Sequence, residues 1–140
     1  MSAFESCSGL TSVTIPDSVT TFGTNPFQSC SKLTEFNGKF ASADKRCLIV
    51  DGVLNSFAPA GLTEYSIPDS VTTIGSYAFY GCSSLKSVYL TPTTPPQGGD
   101  YMFYYNATGR KIYVPRASES AYEAAVYWRD YAADIEPYDF

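Results

Sequence analysis

Apolar residues fall in a recurring Leu-x-x-apolar-x-apolar spacing: Leu10, Val13, Ile15; then Leu62, Tyr65, Ile67; then Leu85, Val88, Leu90. Leu33 and Phe36 begin a further copy that departs at Gly38, and Ile112 with Val114 keeps only the second half. Alternation with period two predicts short strands with one face turned inward. On that reading Ser12, Thr14, Glu35, Asn37, Glu64, Ser66, Ser87, Tyr89, Lys111 and Tyr113 point outward. The central strand residues, Val13, Phe36, Tyr65, Val88 and Ile112, stand 23, 29, 23 and 24 residues apart, which fits five turns of a solenoid. All are expected to share one apolar column, with Val13, Val88 and Ile112 aligned along one sheet.

The text between the strands repeats as well. Ile15-Pro-Asp-Ser-Val-Thr-Thr-Phe-Gly23 and Ile67-Pro-Asp-Ser-Val-Thr-Thr-Ile-Gly75 differ at one position, Phe22 against Ile74. Pro16 and Pro68 cannot donate to a ladder and end the strand, and Asp-Ser favours a turn. The next two apolar positions, Val19 and Phe22 or Val71 and Ile74, are expected to return to the core. Phe4, Phe27 and Phe79 then open a short helical or irregular turn leading to Cys7, Cys30 and Cys82. The predicted fold is therefore a solenoid, mainly β with short helical turns.

Three stretches break the rhythm. In the 29-residue interval, Lys45 to Phe57 carries Asp51-Gly52 between β-branched residues, a strong hairpin signal. It reads as a hairpin grafted onto the solenoid's edge, lengthening one coil or presenting its tip for binding. Thr91 to Asp100 is a loop by composition, followed by the aromatic cluster Tyr101, Phe103, Tyr104 and Tyr105, with Phe103 as the last repeat aromatic. After the strand Lys111 to Pro115, residues 118–126 read as a helix with Ser118 or Ser120 as N-cap, Glu123 completing a capping box with Ser120. Tyr122, Ala125, Val126, Trp128, Tyr131 and Ile135 would cover the open end of the core. The expected organisation is one domain over 1–140: repeats over 1–90 with a hairpin insertion at about 39–60, a loop and last strand over 91–117, and a C-terminal helical cap over 118–140.

Composition narrows the chemistry. With 44% apolar residues the 140-residue chain can bury a core, and a formal charge of -5 with scattered Lys and Arg argues against a nucleic-acid surface. The absence of histidine removes the commonest general base, the His-dependent triads and most catalytic zinc sites. No apolar run reaches the roughly 20 residues of a membrane helix, so no membrane insertion is expected. Met1-Ser-Ala-Phe4 runs straight into the repeat with no signal peptide, which reads as a chain cut inside a longer array. The shared cysteine position fits a small buried hydrophobe; a Cys7–Cys30 disulfide between stacked coils is the alternative, and a metal site is disfavoured without a C-x-x-C pair or histidine.

The phrase Ile-Pro-Asp-Ser-Val-Thr-x-Ile-Gly-x-x-Ala-Phe-x-x-Cys-Ser-x-Leu resembles the BspA-like leucine-rich repeat of bacterial surface proteins. Residues Ile67 to Leu90 carry it best, Phe4 to Gly23 form a second copy, and Trp128-Arg-Asp-Tyr131 with the preceding helix resembles the usual carboxyl-terminal cap. Lys39 to Ala60 follow a variant pattern, and Thr91 to Arg110 fit poorly. The resemblance implies a cell-surface or secreted protein acting in adhesion or protein–protein interaction, with no cofactor and no catalytic residues to carry over. Asp17-Ser18-Val19 and Asp69-Ser70-Val71 also resemble a bacterial O-glycosylation acceptor, although the turn explains them, and Asn106-Ala-Thr108 is a sequon.

Candidate site residues lie on the outward strand positions: Glu35, Asn37, Glu64, Ser66, Ser87, Tyr89, Lys111 and Tyr113. Glu35 and Glu64 occupy matching positions, roughly 5 Å apart if their strands pair directly, near the spacing of a retaining glycosidase pair. An open face offers nothing to exclude water, so binding of a cation or a basic partner, or a pair that simply stays solvated, is the preferred reading there. Five strands make a face roughly 19 Å long, short of the roughly 800 Å² a stable partner covers. Tyr89, Tyr113 and the Tyr101 to Tyr105 cluster are the best contacts, packing under the carboxyl-terminal loop being their alternative role. The expected function is noncatalytic recognition of an unidentified protein or glycan at a host or neighbouring cell surface; the second reading is a structural spacer with no ligand.

Overall fold

The computed structural model describes residues 9–28 and 30–140. Phe4 and Cys7, and with Cys7 the suggested bridge to Cys30, lie outside the described residues. The strands are short and mostly parallel, laid over one another as a repeat solenoid requires. β1 (Ser12–Ile15) pairs with β2 (Glu35–Gly38), Val13 opposite Phe36. β5 (Glu64–Ser66), β7 (Ser87–Tyr89), β8 (Lys111–Pro115) and β9 (Ile135–Tyr138) form a second parallel sheet, in which Tyr65, Val88, Ile112 and Ile135 share one buried row. β9 adds a strand at Ile135, which the sequence reading had assigned only to the covering segment.

Between these sheets stands the hairpin of β3 (Cys47–Val50) and β4 (Val53–Phe57), whose turn residues Asp51 and Gly52 take φ of 51° and 81°. Positive φ at both central positions is the turn that matches strand twist, which is why Asp-Gly stands there. The hairpin is not an edge decoration. β4 pairs in parallel with β6 (Thr73–Ile74), and the alternating faces of β3 feed different interiors: Cys47 joins Leu54 and Phe57 in one core, Leu48 joins Ala58 in the other. The expected single column is therefore two, and Val13 stands in a different sheet from Val88 and Ile112. The 29-residue interval has room for two extra strands, and those strands occupy the place where β2 and β5 would have met.

The chain leaves the regular path at Gly38. It faces Ile15 across the ladder with φ of 83°, and a Cβ there would run into the Ile15 carbonyl oxygen. Glycine is the residue that tolerates both the angle and the approach. Val71 and Ile74 are buried as expected, but Val19 and Phe22 are only half-buried. Ile74 lies on β6, zipped to β4, whereas Phe22 has no such strand and packs edge-on against Phe40 at 6.0 Å. A side chain spans the junction instead: the buried Asn25 amide donates to the Tyr77 and Ala78 carbonyls at 2.8 and 3.3 Å, while Arg46 Nη1 ties the foot of the hairpin to its own return segment at the Ala58 and Ala60 carbonyls.

At the far end, α1 (Glu119–Ala124) and the 3-10 segment Trp128–Asp134 place Tyr122, Trp128 and Tyr131 in the larger core. Ala125 is partly buried against that core, whereas Val126 is exposed. Ser118 holds the N-cap position but makes no capping bond, and no capping box forms. Its hydroxyl donates to the Thr93 carbonyl at 2.8 Å, while Tyr122 Oη and Trp128 Nε1 donate to the Pro92 and Pro96 carbonyls, each at 2.7 Å. These donors satisfy carbonyls of the proline-rich loop, which lacks backbone N–H groups at Pro92, Pro95 and Pro96.

Cys30, Cys47 and Cys82 are buried. Burial pushes the Cys47 thiol up to about 12, so it remains neutral. It lies 3.1 Å from Tyr65 Oη, which donates to Asp44 Oδ2 at 2.8 Å. Partial burial works against ionisation of Asp44, but bonds from the Ser42 hydroxyl, the Arg46 N–H and the Tyr65 hydroxyl outweigh it and hold the pKa below the ordinary carboxylate value. A carboxyl lowered on folding stabilises the fold above its unfolded pKa and loses that contribution as pH falls through the folded one. Asp44→Asn is expected to flatten the acid limb of stability below about pH 4. Denaturant midpoints across the acid range check this, and an unchanged limb would place the acid sensitivity elsewhere.

Candidate functional site

The outer face of the four-stranded sheet carries most of the sequence-predicted positions in register. Glu64, Ser87 and Lys111 form one row; Ser66, Tyr89, Tyr113 and Glu136 form the next. All are exposed or half-buried, while Tyr65, Val88 and Ile112 between them are buried. Period-two alternation alone accounts for this division. Lys111 Nζ approaches Glu136 Oε1 at 3.7 Å, an exposed pair of small energetic weight.

Tyr89 and Tyr113 stack with centroids 5.0 Å apart and an interplanar angle of 16°. Tyr138 lies edge-on to both, at 5.4 and 5.6 Å, and Phe140 reaches Tyr89 at 6.5 Å. Tyr138 and Phe140 themselves remain exposed, so the carboxyl-terminal residues enlarge the aromatic surface as they partly cover it. Between them Asp139 accepts from Arg116 Nε and Nη2 through its two carboxylate oxygens, which holds the Asp139 carboxyl below its ordinary pKa. Desolvation, with Glu64, Tyr113 and Tyr138 nearby, pushes the Tyr89 hydroxyl above its ordinary value, so that it stays neutral. The centre of this face is thus an uncharged aromatic layer flanked by single charges of both signs.

The remaining positions are elsewhere. Glu35 and Asn37 lie on β2, in the separate two-stranded sheet, where the Asn37 amide donates to Glu35 Oε2 at 2.6 Å. β2 and β5 do not pair: the Phe36 N–H donates to the Lys45 carbonyl, at the foot of the hairpin. The condition for a Glu35–Glu64 carboxylate pair is therefore unmet, and the expected five-strand face is divided. Tyr138, Phe140 and Glu136 were missed by sequence reasoning, although Ile135 stands 23 residues after Ile112 and signals the added strand.

The suggested modification sites sort by exposure. Asp17-Ser18 and Asp69-Ser70 are exposed in turns closed by Val19 N–H to the Pro16 carbonyl and Val71 N–H to the Pro68 carbonyl, each 3.1 Å. The Asn106 amide of the sequon is occupied, donating to the Phe79 carbonyl at 2.8 Å. Among the described residues, no helix is long and apolar enough to cross a membrane.

The sequence model of the BspA type leucine rich repeat region matches residues 1–47 and 54–136, in six copies. No curated protein matches the chain.

Proposed function

Because the chain belongs to the BspA-type leucine-rich repeat family, we propose that it is a noncatalytic recognition and adhesion module of a cell-surface or secreted protein. It binds a protein or glycan partner through the outer face of the β5–β7–β8–β9 sheet. The observation that carries this reading is the in-register stack of Tyr89 and Tyr113 with Tyr138 edge-on to both. A stacked, half-buried tyrosine pair presents rigid apolar area at low entropic cost, with hydroxyls for orientation. We read β9 as the last rung of a single repeat domain, and α1 with the following segment as its carboxyl-terminal cap.

Four strands span only about 14 Å across, so the face suits a weak contact or one shared with further coils. Binding of the chain to arrays of matrix proteins and glycans tests the proposal. Tyr89→Ala combined with Tyr113→Ala is expected to weaken the interaction by about tenfold or more, as for paired hot-spot aromatics. Undiminished binding by the double variant would exclude this face. The division of the described strands into three sheets favours the second reading, a spacer that holds neighbouring domains apart, and failure of the unmodified chain to bind any array member would leave that one standing.

A further inference from the structure

A second aromatic surface lies apart from the sheet, on the turns that precede β7 and β8. Tyr77, Tyr80, Tyr101, Tyr104 and Tyr105 line one depression. Their rings form a closed circuit: Tyr77 to Tyr80 at 5.1 Å, Tyr80 to Tyr105 at 5.3 Å, Tyr105 to Tyr104 at 5.8 Å, Tyr104 to Tyr101 at 4.6 Å, and Tyr101 back to Tyr77 at 5.4 Å. The repeat builds it. Tyr77 and Tyr101 each stand two residues before a stacked core aromatic, Phe79 or Phe103, and Tyr80 and Tyr104 each stand one after. Bonds from Tyr77 N–H to the Asp100 carbonyl and from Gly81 N–H to the Tyr104 carbonyl tie the two turns together.

Two features mark this as more than surface packing. Tyr101, Tyr104 and Tyr105 are 46%, 43% and 67% exposed, a large aromatic area to leave in water. Moreover Tyr77, Tyr101 and Tyr105 hold φ of 61°, 53° and 60°, a left-handed conformation that side chains resist. At the position matching Tyr105, the preceding coil has Gly81 with φ of 76°. Tyrosine thus stands where glycine would be relaxed, and strain of this kind gathers at binding sites.

We propose that this tyrosine cup is a binding site for a quaternary ammonium group of the trimethylammonium class. Centroid separations of 4.6 to 5.8 Å around the circuit let one cation seated in the depression approach several rings at once within the roughly 6 Å range of cation–π attraction. Ring faces are electron-rich and repel anions, no Lys or Arg lines the depression among the described residues, and the chain's net charge of -5 favours cations. A primary ammonium would surrender strong hydration with no carboxylate among the described lining residues to replace it, whereas a methylated nitrogen is weakly hydrated and apolar outside. The cup lies outside the sheet-face reading and does not depend on it.

Calorimetric or NMR titration of the full chain with choline chloride tests the proposal, with 3,3-dimethyl-1-butanol as the uncharged isostere. Choline is expected to bind saturably, with the isostere and Tyr104→Leu each weaker by about tenfold, and Tyr113→Ala unchanged. Equal binding of choline and the isostere, no saturable binding of choline, or tighter binding of a neutral disaccharide at the same tyrosines would overturn it. The comparison of the two small molecules on the unmodified chain stands even if the Tyr104 variant fails to fold.

Discussion

Replacing Phe79 with Ala should lower the unfolding free energy by about 3–5 kcal/mol, the largest loss expected from a side chain in the repeat itself. Phe79 is fully buried at the crossing of an aromatic spine: 4.8 Å from Phe57, 6.4 Å from Tyr65, and stacked on Phe103 at 5.1 Å and 16°. Neighbouring coils contribute all three partners, so truncation removes inter-coil contacts on both sides of the turn, and a solenoid has few others. Phe57 and Tyr65, fixed by the ladders of β4 and β5, cannot collapse into the void, which puts the cost at the upper end for an aromatic. Denaturant titration measures it, with Ser87→Ala, on the outer face, expected to change stability by less than about 0.5 kcal/mol. Similar losses at both positions would contradict the inward and outward assignment of the strands.

Trp128→Ala should cost as much, about 3–5 kcal/mol, by a second route. The indole is fully buried, 5.9 Å from Phe103 and 5.2 Å from Tyr122, and its Nε1 donates to the Pro96 carbonyl. Losing it opens the end of the core and leaves that carbonyl without its donor. Trp128→Phe separates the two contributions: it keeps most of the apolar contact and should cost about 1–3 kcal/mol through the unsatisfied carbonyl. Limited proteolysis gives an independent readout, with cleavage in residues 91–99 appearing in both variants. A loop that stays protected in Trp128→Ala would mean that Ser118 and Tyr122 suffice to hold it.

What could be read from the residues follows from how local each signal is. Strand positions and inward faces depend on period-two alternation within four or five residues, so Val88 and Leu90 were legible, as was the Asp51-Gly52 turn. The hairpin's place in the stack depends on which strands it meets, and Cys47-Leu48 as a dipeptide carries no sign that its two side chains enter different cores. Ser118 was legible as a helix start, but its hydroxyl is drawn to Thr93 because a proline-rich loop with unpaired carbonyls arrives from 25 residues upstream. The outward tyrosines of β7 and β8 were found for the reason their strands were. Tyr138 escaped because Pro137 obscures a strand that pairs anyway, at the sheet's last position, where the missing N–H costs least.

The hairpin also bears on how such a chain can change over generations. Tandem coils gain and lose members by duplication or deletion of one period, which is harmless when a unit meets its neighbours through identical surfaces. The coil from Pro68 to Thr91 meets that condition on its β7 side. The unit holding β3 and β4 does not, because it is joined by Arg46 to its own return segment and by Val53 and Leu54 to β6 of the next coil. Copying it alone would present a β4 edge to a neighbour with no matching strand. The insertion therefore divides the chain into a part free to lengthen and a part inherited whole.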